Sequence, residues 1–594
     1  MNNTIMRVCF SGLAVMVMIA SCGVKESNFS GQLEIHDIQG CSHTSPYEGQ
    51  KVKYVVGVVT HKVSNGFTMQ SISPDDQFCT SEGIFVFTKD YPNVMVADLV
   101  RVDGYVDEFT DGEPDDYNLS QTEISEAEYT VIQSDHTLPQ PFVIDDMKGS
   151  LPTAVIDNDG MMKFEPGEDG LDFIESLESM LVEIRSGLVV ASRNDYNEII
   201  VVPDVFTHIN LISKHGAIIT TQNDANPEKL MIKLPSNYRD QINMGDRFQT
   251  PIIGVMDYSY GNFKLMAYPP IEIISHDKEV EPFVPILNGL TLATYNLENL
   301  SPMDENMRFT GFARHIVKML HSPDVLVVNE IMDNSGSIDD GVVNSDKTII
   351  KLINAIQKAG GPNYSFSDTP PINNQDGGLE GGNIRTVLLY REENGIFLEE
   401  SDPFVNGITY KDGKFLISQN PSLIGENSSA FKGTRKPRLW LLNQNGAQFF
   451  VVGVHLTSQG ANSPDWGNQQ PPLKPEEGQR VKQADLINEE LSDIHLTNPD
   501  IPIFIAGDMN DIPWSKTIFT LSKDTFSNTA DPGTPEENYS YIFEGNAQTL
   551  DFIFVNQNLA SDVLLARFVH VNTYLDKSDA ISDHDPVIIE FQMD

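Results

Sequence analysis

The polar pair with the most chemistry for its size is Asp508 and Asn510, in the run I-F-I-A-G-D-M-N-D-I-P at residues 503–513. A carboxylate and a carboxamide two residues apart suit the handling of water, phosphate or a hard cation. Alone, G-D-x-N is an ordinary strand-to-loop turn, where Gly, Asp and Asn are favoured for backbone reasons. Other polar residues recur in the same kind of place, at the end of an apolar run. Asn296 follows the strand pattern Leu290 to Thr294, Glu330 follows Val325 to Val328, and His455 ends Phe449 to Val454. Asp551 opens an apolar run that ends at Val555, and Ser582-Asp583-His584-Asp585-Pro586 precedes Val587 to Phe591. Taken singly, Asn296 or Asp551 reads as a strand-end cap and His455 as a satisfied buried histidine.

These positions need a rigid frame, and the second half of the chain supplies the pattern for one. Buried strand-like runs alternate with helical stretches, Met307 to Leu320 and Gln479 to Leu491, the first with Phe309, Phe312, Ile316 and Leu320 on one face. Loops held by a rigid sheet are where chemistry is usually placed. Upstream the pattern differs. Short alternating runs punctuated by glycine read as an all-β module over residues 32–135, and a second covers 150–275. Tyr47, Glu48, Val52, Gly57 and Val59 match Leu177, Glu178, Val182, Gly187 and Val189 at a constant offset of 130, and Asp98 to Gly104 parallels Asp246 to Gly254 with a two-residue gap. Two tandem barrel-like modules follow from that weak repeat. Tyr268-Pro269-Pro270 and the charged stretch after it mark a boundary, with residues 276–285 as linker and 286–594 as the domain carrying the polar set.

The chain has 594 residues and a formal net charge of -46, enough length for three or four units. Residues 286–594 hold 21 Lys plus Arg against 42 Asp plus Glu, leaving 18 against 43 upstream. Such acidity argues against broad electrostatic capture of nucleic acid, which needs Lys and Arg to displace counterions. A local basic cleft is still compatible with it. The acidic tract Asp111 to Asp116 could hold a structural Ca2+, but it lacks the ordered ligand spacing of a calcium loop and reads as solvated.

The first residues read as an address. Arg7, the apolar run Val8 to Ala20 and Ile19-Ala20-Ser21-Cys22 resemble a bacterial lipobox. The resemblance implies a signal peptide over 1–21, lipid on Cys22 and a tether over 22–31. Gly23 rather than Asp after the cysteine implies an outer-membrane lipoprotein facing the periplasm or the cell surface. Cys9 then leaves with the signal and Cys22 is consumed, so Cys41 and Cys79 form an even pair suited to a disulfide in an oxidising compartment.

Taken together and in order, T-Y-N-L-E-N, V-V-N-E-I, V-G-V-H-L, I-A-G-D-M-N-D, T-L-D-F-I-F-V and S-D-H-D-P-V resemble the endonuclease/exonuclease/phosphatase superfamily typified by deoxyribonuclease I. A closer likeness, to bacterial extracellular nucleases, rests on E-I-M-D-N-S-G, I-N-N-Q-D-G-G-L-E-G-G-N-I-R, T-R-K-P, W-G-N-Q-Q-P-P and Y-S-Y-I-F-E-G-N-A-Q-T-L-D. The family fold is a four-layer α/β sandwich, so the expected class is α/β (α+β), with that sandwich behind two small all-β modules. The upstream modules resemble oligonucleotide-binding-fold-like regions of such nucleases, through Y-E-G-Q-K-V, G-V-V-T, G-F-T-M-Q and S-E-G-I-F-V-F-T. Barrels of that kind bind single strands on aromatic platforms. Phe67, Phe85 and Phe87 are the candidates here, with core packing the commoner use of such rings.

A phosphodiester resists attack because its oxygens are negative, so charge must be neutralised, a water aimed and the departing oxygen stabilised. Glu330 offers a hard oxygen ligand to Mg2+ or Mn2+, with Asn296 as a neutral partner and Asp583 as a further candidate carboxylate. The resemblance implies that Asp508 orients or deprotonates the attacking water, that Asn510 holds the phosphate, that His455 hydrogen-bonds the scissile phosphate, and that Asp551 pairs with His584. Arg385, Arg435 and Lys436 are candidate phosphate contacts. Three departures stand out: Asn329 where the family commonly has Gln, Thr457 and Gln459 where close relatives show Asn and Lys, and no carboxylate partner for His455, with Asn383 near the expected place.

The expectation is a lipid-anchored, metal-dependent nuclease acting on extracellular DNA, with RNA as a further substrate and no obligate protein partner. Two alternatives are a phosphodiesterase acting on a phospholipid head group or small phosphodiester, and a surface binding protein with a vestigial catalytic domain.

Overall fold

The computed structural model describes residues 33–593 apart from 76, 145–150, 209, 277–279, 287–288 and 524. The expected signal peptide, the tether and Cys22 lie outside the described residues.

Five strands of the first module close into a barrel in the order Lys51–Val63, Gly66–Gln70, Gly83–Phe87, Ser120–Gln133, Leu99–Thr110. Every pairing is antiparallel except that of Gly83–Phe87 with Ser120–Gln133. Alternation puts Val55, Val59, Met69, Ile84, Val100 and Val102 inside, and Phe67 is fully buried among them. Phe85 and Phe87 point the other way and are partly exposed. A disulfide joins Cys41 to Cys79 beside the barrel.

The second module repeats this order. Its first strand is bent, with halves Leu181–Ile184 and Gly187–Ala191; the first half pairs with Ile252–Ser259 and the second with Glu198–Pro203. Glu198–Pro203 pairs with Leu230–Lys233, which runs parallel to Asn262–Ala267, and Asn262–Ala267 returns to Ile252–Ser259. The repeat extends to single hydrogen bonds. Val59 N donates to Asp98 O at 2.8 Å and Ala97 N to Val59 O at 2.9 Å; Val189 N donates to Asp246 O and Gly245 N to Val189 O, both at 2.8 Å. In each copy the aspartate Oδ2 also accepts a backbone N–H three residues back, from Met95 and from Asn243.

Residues 290–591 form two facing sheets. One has the order Ser365–Ser367, Arg385–Tyr390, Val325–Ile331, Leu290–Leu300, Val587–Phe591, Val563–Phe568. The other runs Ile396–Leu398, Arg438–Gln444, Ala447–His455, Ile503–Asp508, Asp551–Asn556, Phe526–Asn528. Period-two patterning decides which side chains meet. In Ile503–Asp508, Phe504 and Ala506 join the layer between the sheets, with Val327, Leu388 and Trp440, while Ile503 and Ile505 face the helices outside. Helices Asn306–Arg314 and Asp346–Lys358 cover the first sheet, and Glu477–Thr497 and Lys516–Ser522 the second. This is the four-layer α/β sandwich. The helix expected at 307–320 is α-helical only to Arg314 and continues as a wider π turn, His315–Met319.

The boundary is tighter than a linker. Phe283 is fully buried in the two-sheet domain and its N–H donates to Met319 O at 2.7 Å. The second module also shares a sheet with that domain: Ile218–Ile219 adds in parallel to Asn546–Gln548, the second arm of a hairpin that starts at Tyr541. Ala217, Ile219 and Met244 pack there against Tyr539, Ala547 and Tyr574. The W-G-N-Q-Q-P-P loop reaches back as well, burying Trp466 in the core of the second module, where Tyr258 donates to its carbonyl at 3.0 Å.

Candidate active site

The two sheets bring the polar strand ends to one place. Glu330, His455 and Asp508 form one group whose ligating atoms lie within 4.8 Å of one another, and Asp508, Asp551 and His584 form a second that shares Asp508. Strand pairing makes this so: His455 lies opposite Asp508 and Asp508 opposite Asp551 across two adjacent ladders. On the other sheet Asn296 lies opposite Asn329, next to Glu330. The backbone is irregular here. Glu298, Asn299 and Glu330 all take left-handed conformations, with φ of 46°, 54° and 61°, and lift out of the ladder where both strands shift register.

Asp508 is the hub. Its Oδ1 accepts the Asn510 N–H at 2.8 Å, a tight turn for which Asn510 adopts φ 49°. Its Oδ2 accepts from Asn296 Nδ2 at 3.2 Å and faces His455 Nε2 at 3.7 Å and His584 Nε2 at 3.9 Å. Burial pushes the Asp508 carboxyl up to about 7, with Asp551 and Glu330 adding to the rise and the His584 charge opposing it. The buried Asp508 carboxylate and the half-buried Glu330 carboxylate stand close together, a pair whose charge a divalent cation would neutralise. Oxygen donors from Glu330 and Asp508 fit a hard divalent cation.

The imidazoles differ. Asp551 Oδ2 lies 2.6 Å from His584 Nδ1. Burial works against the imidazolium, but the Asp551 charge and hydrogen bond outweigh it, so His584 is held well above the ordinary histidine range. His455 goes the other way: burial, then the charges of Arg435 and His584, press it well below that range. Its Nδ1 is buried without a partner, so the missing carboxylate is missing in space too. Asn383 instead donates to Asp333, Asn373 and backbone carbonyls, pinning the Gly-rich loop.

Several expected site residues take other roles. Asn296 presents its amide N–H to Glu330 Oε1 at 3.1 Å and to Asp508, and spends its oxygen on the Glu298 N–H, so it orients the carboxylates rather than facing the cation space with an oxygen. Asp583 is exposed beside the groups and lies outside both of them. Arg385 is fully buried and bonded to Asn383 O, Val343 O and Asp368, too deep for a phosphate. Lys436 is tied to Asp376. Arg435 is nearer: buried, it donates to Leu456 O at 2.7 Å, and Glu330 and Asp508 are among the charges acting on it. Asn510 Nδ2 donates to the same carbonyl at 3.2 Å. Among the described residues, no group of three metal-ligating side chains forms in Asp111 to Asp116.

The departures acquire structural reasons. Asn329 Nδ2 donates to Val454 O at 2.6 Å, stitching the two sheets beside His455. Gln459 Nε2 donates to Asn510 O at 2.8 Å, bracing the Asp508 turn, and Thr457 bonds to Gln483. Sequence reading missed Tyr541, whose ring packs on His584 with centroids 4.9 Å apart. It missed Glu298 as well, pushed up to about 7 by burial and then by Asp583. The signal available for Tyr541 was its motif, Y-S-Y-I-F-E-G-N.

Two family models match the chain: one described as a domain of unknown function (DUF8508) over residues 131–274, and the Endonuclease/Exonuclease/phosphatase family over 293–584. No curated protein matches. Similar solved structures include truncated TDP2 of Caenorhabditis elegans, 16% identical, covering 52% of this chain and 98% of that one at a TM-score of 0.33. The human Nocturnin catalytic domain is 16% identical, with 52% and 96% covered and a TM-score of 0.35. A mannosyl-6-phosphatase of Bacteroides thetaiotaomicron is 14% identical, with 51% and 100% covered and a TM-score of 0.32.

Proposed function

Since the domain at residues 293–584 belongs to the endonuclease/exonuclease/phosphatase family and is a hydrolase of that superfamily, we propose that its substrate is nucleic acid, DNA first and RNA second. The observation that carries the choice is the size of the space beside the catalytic groups. A cavity of about 1200 Å³ opens at Glu298, Tyr541 and Asp583 and continues between the catalytic domain and the second β module. That exceeds what a small head group fills and suits a polymer lying across the joint.

Glu330 and Asp508 would hold Mg2+ or Mn2+, whose charge, when bound, draws negative charge from the phosphate oxygens. The chain's own groups do the rest. Asp508, its carboxylate aimed by Asn296 and the Asn510 N–H, orients the attacking water and takes its proton. His584, kept cationic by Asp551, faces the same oxygen and neutralises charge that builds on the phosphate. Neutral His455 directs Nε2 at the gap between Glu330 and Asp508, where it donates to a phosphate oxygen. Asn510 stands beside it as a further phosphate donor.

We place the protein outside the cytoplasm, held to the outer membrane by lipid on Cys22. The Cys41–Cys79 disulfide supports an oxidising compartment. Purified protein should degrade plasmid DNA and single strands with Mg2+ or Mn2+, stop with chelator, and do so faster than it hydrolyses phospholipid or sugar phosphate. No cutting by wild type, or undiminished cutting after Glu330→Ala and His584→Ala, overturns the nuclease reading.

A further inference from the structure

The cavity that opens at Tyr541 and Asp583, beside the catalytic groups, does not end there. Arg193, Asn194, Tyr196, Lys233, Met266 and Lys577 line both it and a second cavity of about 840 Å³, so the two adjoin along the seam of the second module and the catalytic domain.

Its far end is basic, in a chain of net charge -46. Four cations, Arg193, Lys233, Arg239 and Lys577, line the far cavity against two carboxylates, Asp195 and Asp576. Asp576 pairs with Arg193 at 3.3 Å and Asp195 with Lys577 at 2.5 Å. Lys233 shares Glu198 with Lys264. Arg239 is exposed, donates to the carbonyls of Ser236 and Tyr238, and pairs with no carboxylate among the described residues. Among the groups lining this cavity, one positive charge, that of Arg239, is thus left without a carboxylate. Tyr196 stands at the rim with 74% of its surface exposed, its carbonyl held by Lys233 Nζ at 2.6 Å.

We infer that this basic end of the seam is a second substrate site, which grips the phosphates of a single-stranded oligonucleotide and stacks one base on Tyr196, while a neighbouring linkage of the same strand lies at Asp508 and His584. The inference rests on the nucleic-acid reading. A single strand fits because its unpaired bases leave a face open to an aromatic ring, whereas a duplex hides those faces in its own stack. Phosphates fit because Arg239, left without a carboxylate, gains by displacing condensed counterions. The module's role is then to read strand length beyond the cut.

The test is anisotropy of a fluorescent single strand in chelator, where binding is read without cutting. Strands from about 4 to about 16 nucleotides cover the usual span of single-strand sites. Wild type should bind the long strand more tightly than the short one and than a duplex of equal length. Tyr196→Ala should raise Kd for the long strand about fivefold or more, as loss of one stacked base requires. Arg239→Ala should lower the slope of log K against log salt by about 0.7, one phosphate contact. Both variants should hydrolyse bis-p-nitrophenyl phosphate at the wild-type rate, since neither residue touches the catalytic groups. No binding by wild type, unchanged affinity and salt slope in the variants, or tighter binding of duplex overturns the inference. Wild type that binds the strand in chelator yet fails to cut it with Mg2+ or Mn2+ overturns the proposed function and leaves the seam site standing.

Discussion

Asp551 Oδ2 stands 2.6 Å from His584 Nδ1, and the other nitrogen of the same imidazole faces Asp508 Oδ2 at 3.9 Å. One carboxylate thus fixes the ring while a second meets its working edge. Asp551→Asn preserves the shape and removes the charge that keeps His584 protonated. We predict a fall in kcat of about 10²- to 10⁴-fold, with the His584 titration moving to lower pH in the NMR spectrum. An unmoved titration would mean that Asp551 does not set the charge on His584.

Gly507 explains why G-D and not another pair opens the catalytic turn. Its φ is 145°, and a Cβ there would lie 1.9 Å from the Val454 carbonyl oxygen on the neighbouring parallel strand. Gly507→Ala should cost at least ~3 kcal/mol in denaturant unfolding. Because the two strands pushed apart carry His455 and Asp508, activity should fall with it. A variant of wild-type stability would show that the strands part more readily than their packing implies.

Several buried carboxyls far from the cut should make stability fall as pH rises. Burial, chiefly, pushes Glu178 up to about 8, Glu123 and Glu228 to about 7 and Asp257 to about 6. Each folded-state pKa lies above its unfolded value, so the native state binds more protons in between. The contribution is complete below about pH 4 and is lost as pH climbs through 6 to 8. Tm should therefore drop between pH 5 and pH 8, and Glu178→Gln should flatten that slope. A Tm that rises over this range would contradict the burial of these groups.

The catalytic domain alone should be a poor protein. Residues 286–594 without the second module would expose Tyr539, Ala547, Tyr574 and Trp466 and leave the hairpin at 541–548 with an open edge. We expect that fragment to aggregate or to melt well below the full chain, and a fragment from residue 151 to recover most of the loss. Equal melting of the two fragments would make the shared sheet dispensable.

How much could be read in advance divides along physical lines. Strand-end positions such as Asp508, His455 and Asp551 were legible because a two-residue period places them on a known face and two adjacent ladders then align them. The α/β sandwich was implied by the family resemblance of the ordered motifs; the strand and helix alternation was compatible with it but could not have established it. Arg385 and Lys436 misled because a motif names a residue without its depth, and both are consumed by neighbours distant in sequence, Asp368 and Val343 for one and Asp376 for the other. The depth of the second module's embedding was hidden for a related reason: the pairing of Ile218–Ile219 with Asn546–Gln548 spans more than three hundred residues and leaves no local pattern. Tyr541 belongs to that hidden set, since its place against His584 depends on the hairpin that the module supports.

That shared sheet also sets an order of events. The chain is made from its N-terminus, and domains fold as units as they emerge. The strand Ile218–Ile219 is complete long before the hairpin at Tyr541–Gln548 leaves the ribosome, so the earlier module waits as a template for the later one. Until the last hundred residues arrive, the growing chain has a docking edge but neither Asp551 nor His584. A hydrolase built this way is silent during its own synthesis, and becomes competent only when its end closes on its middle.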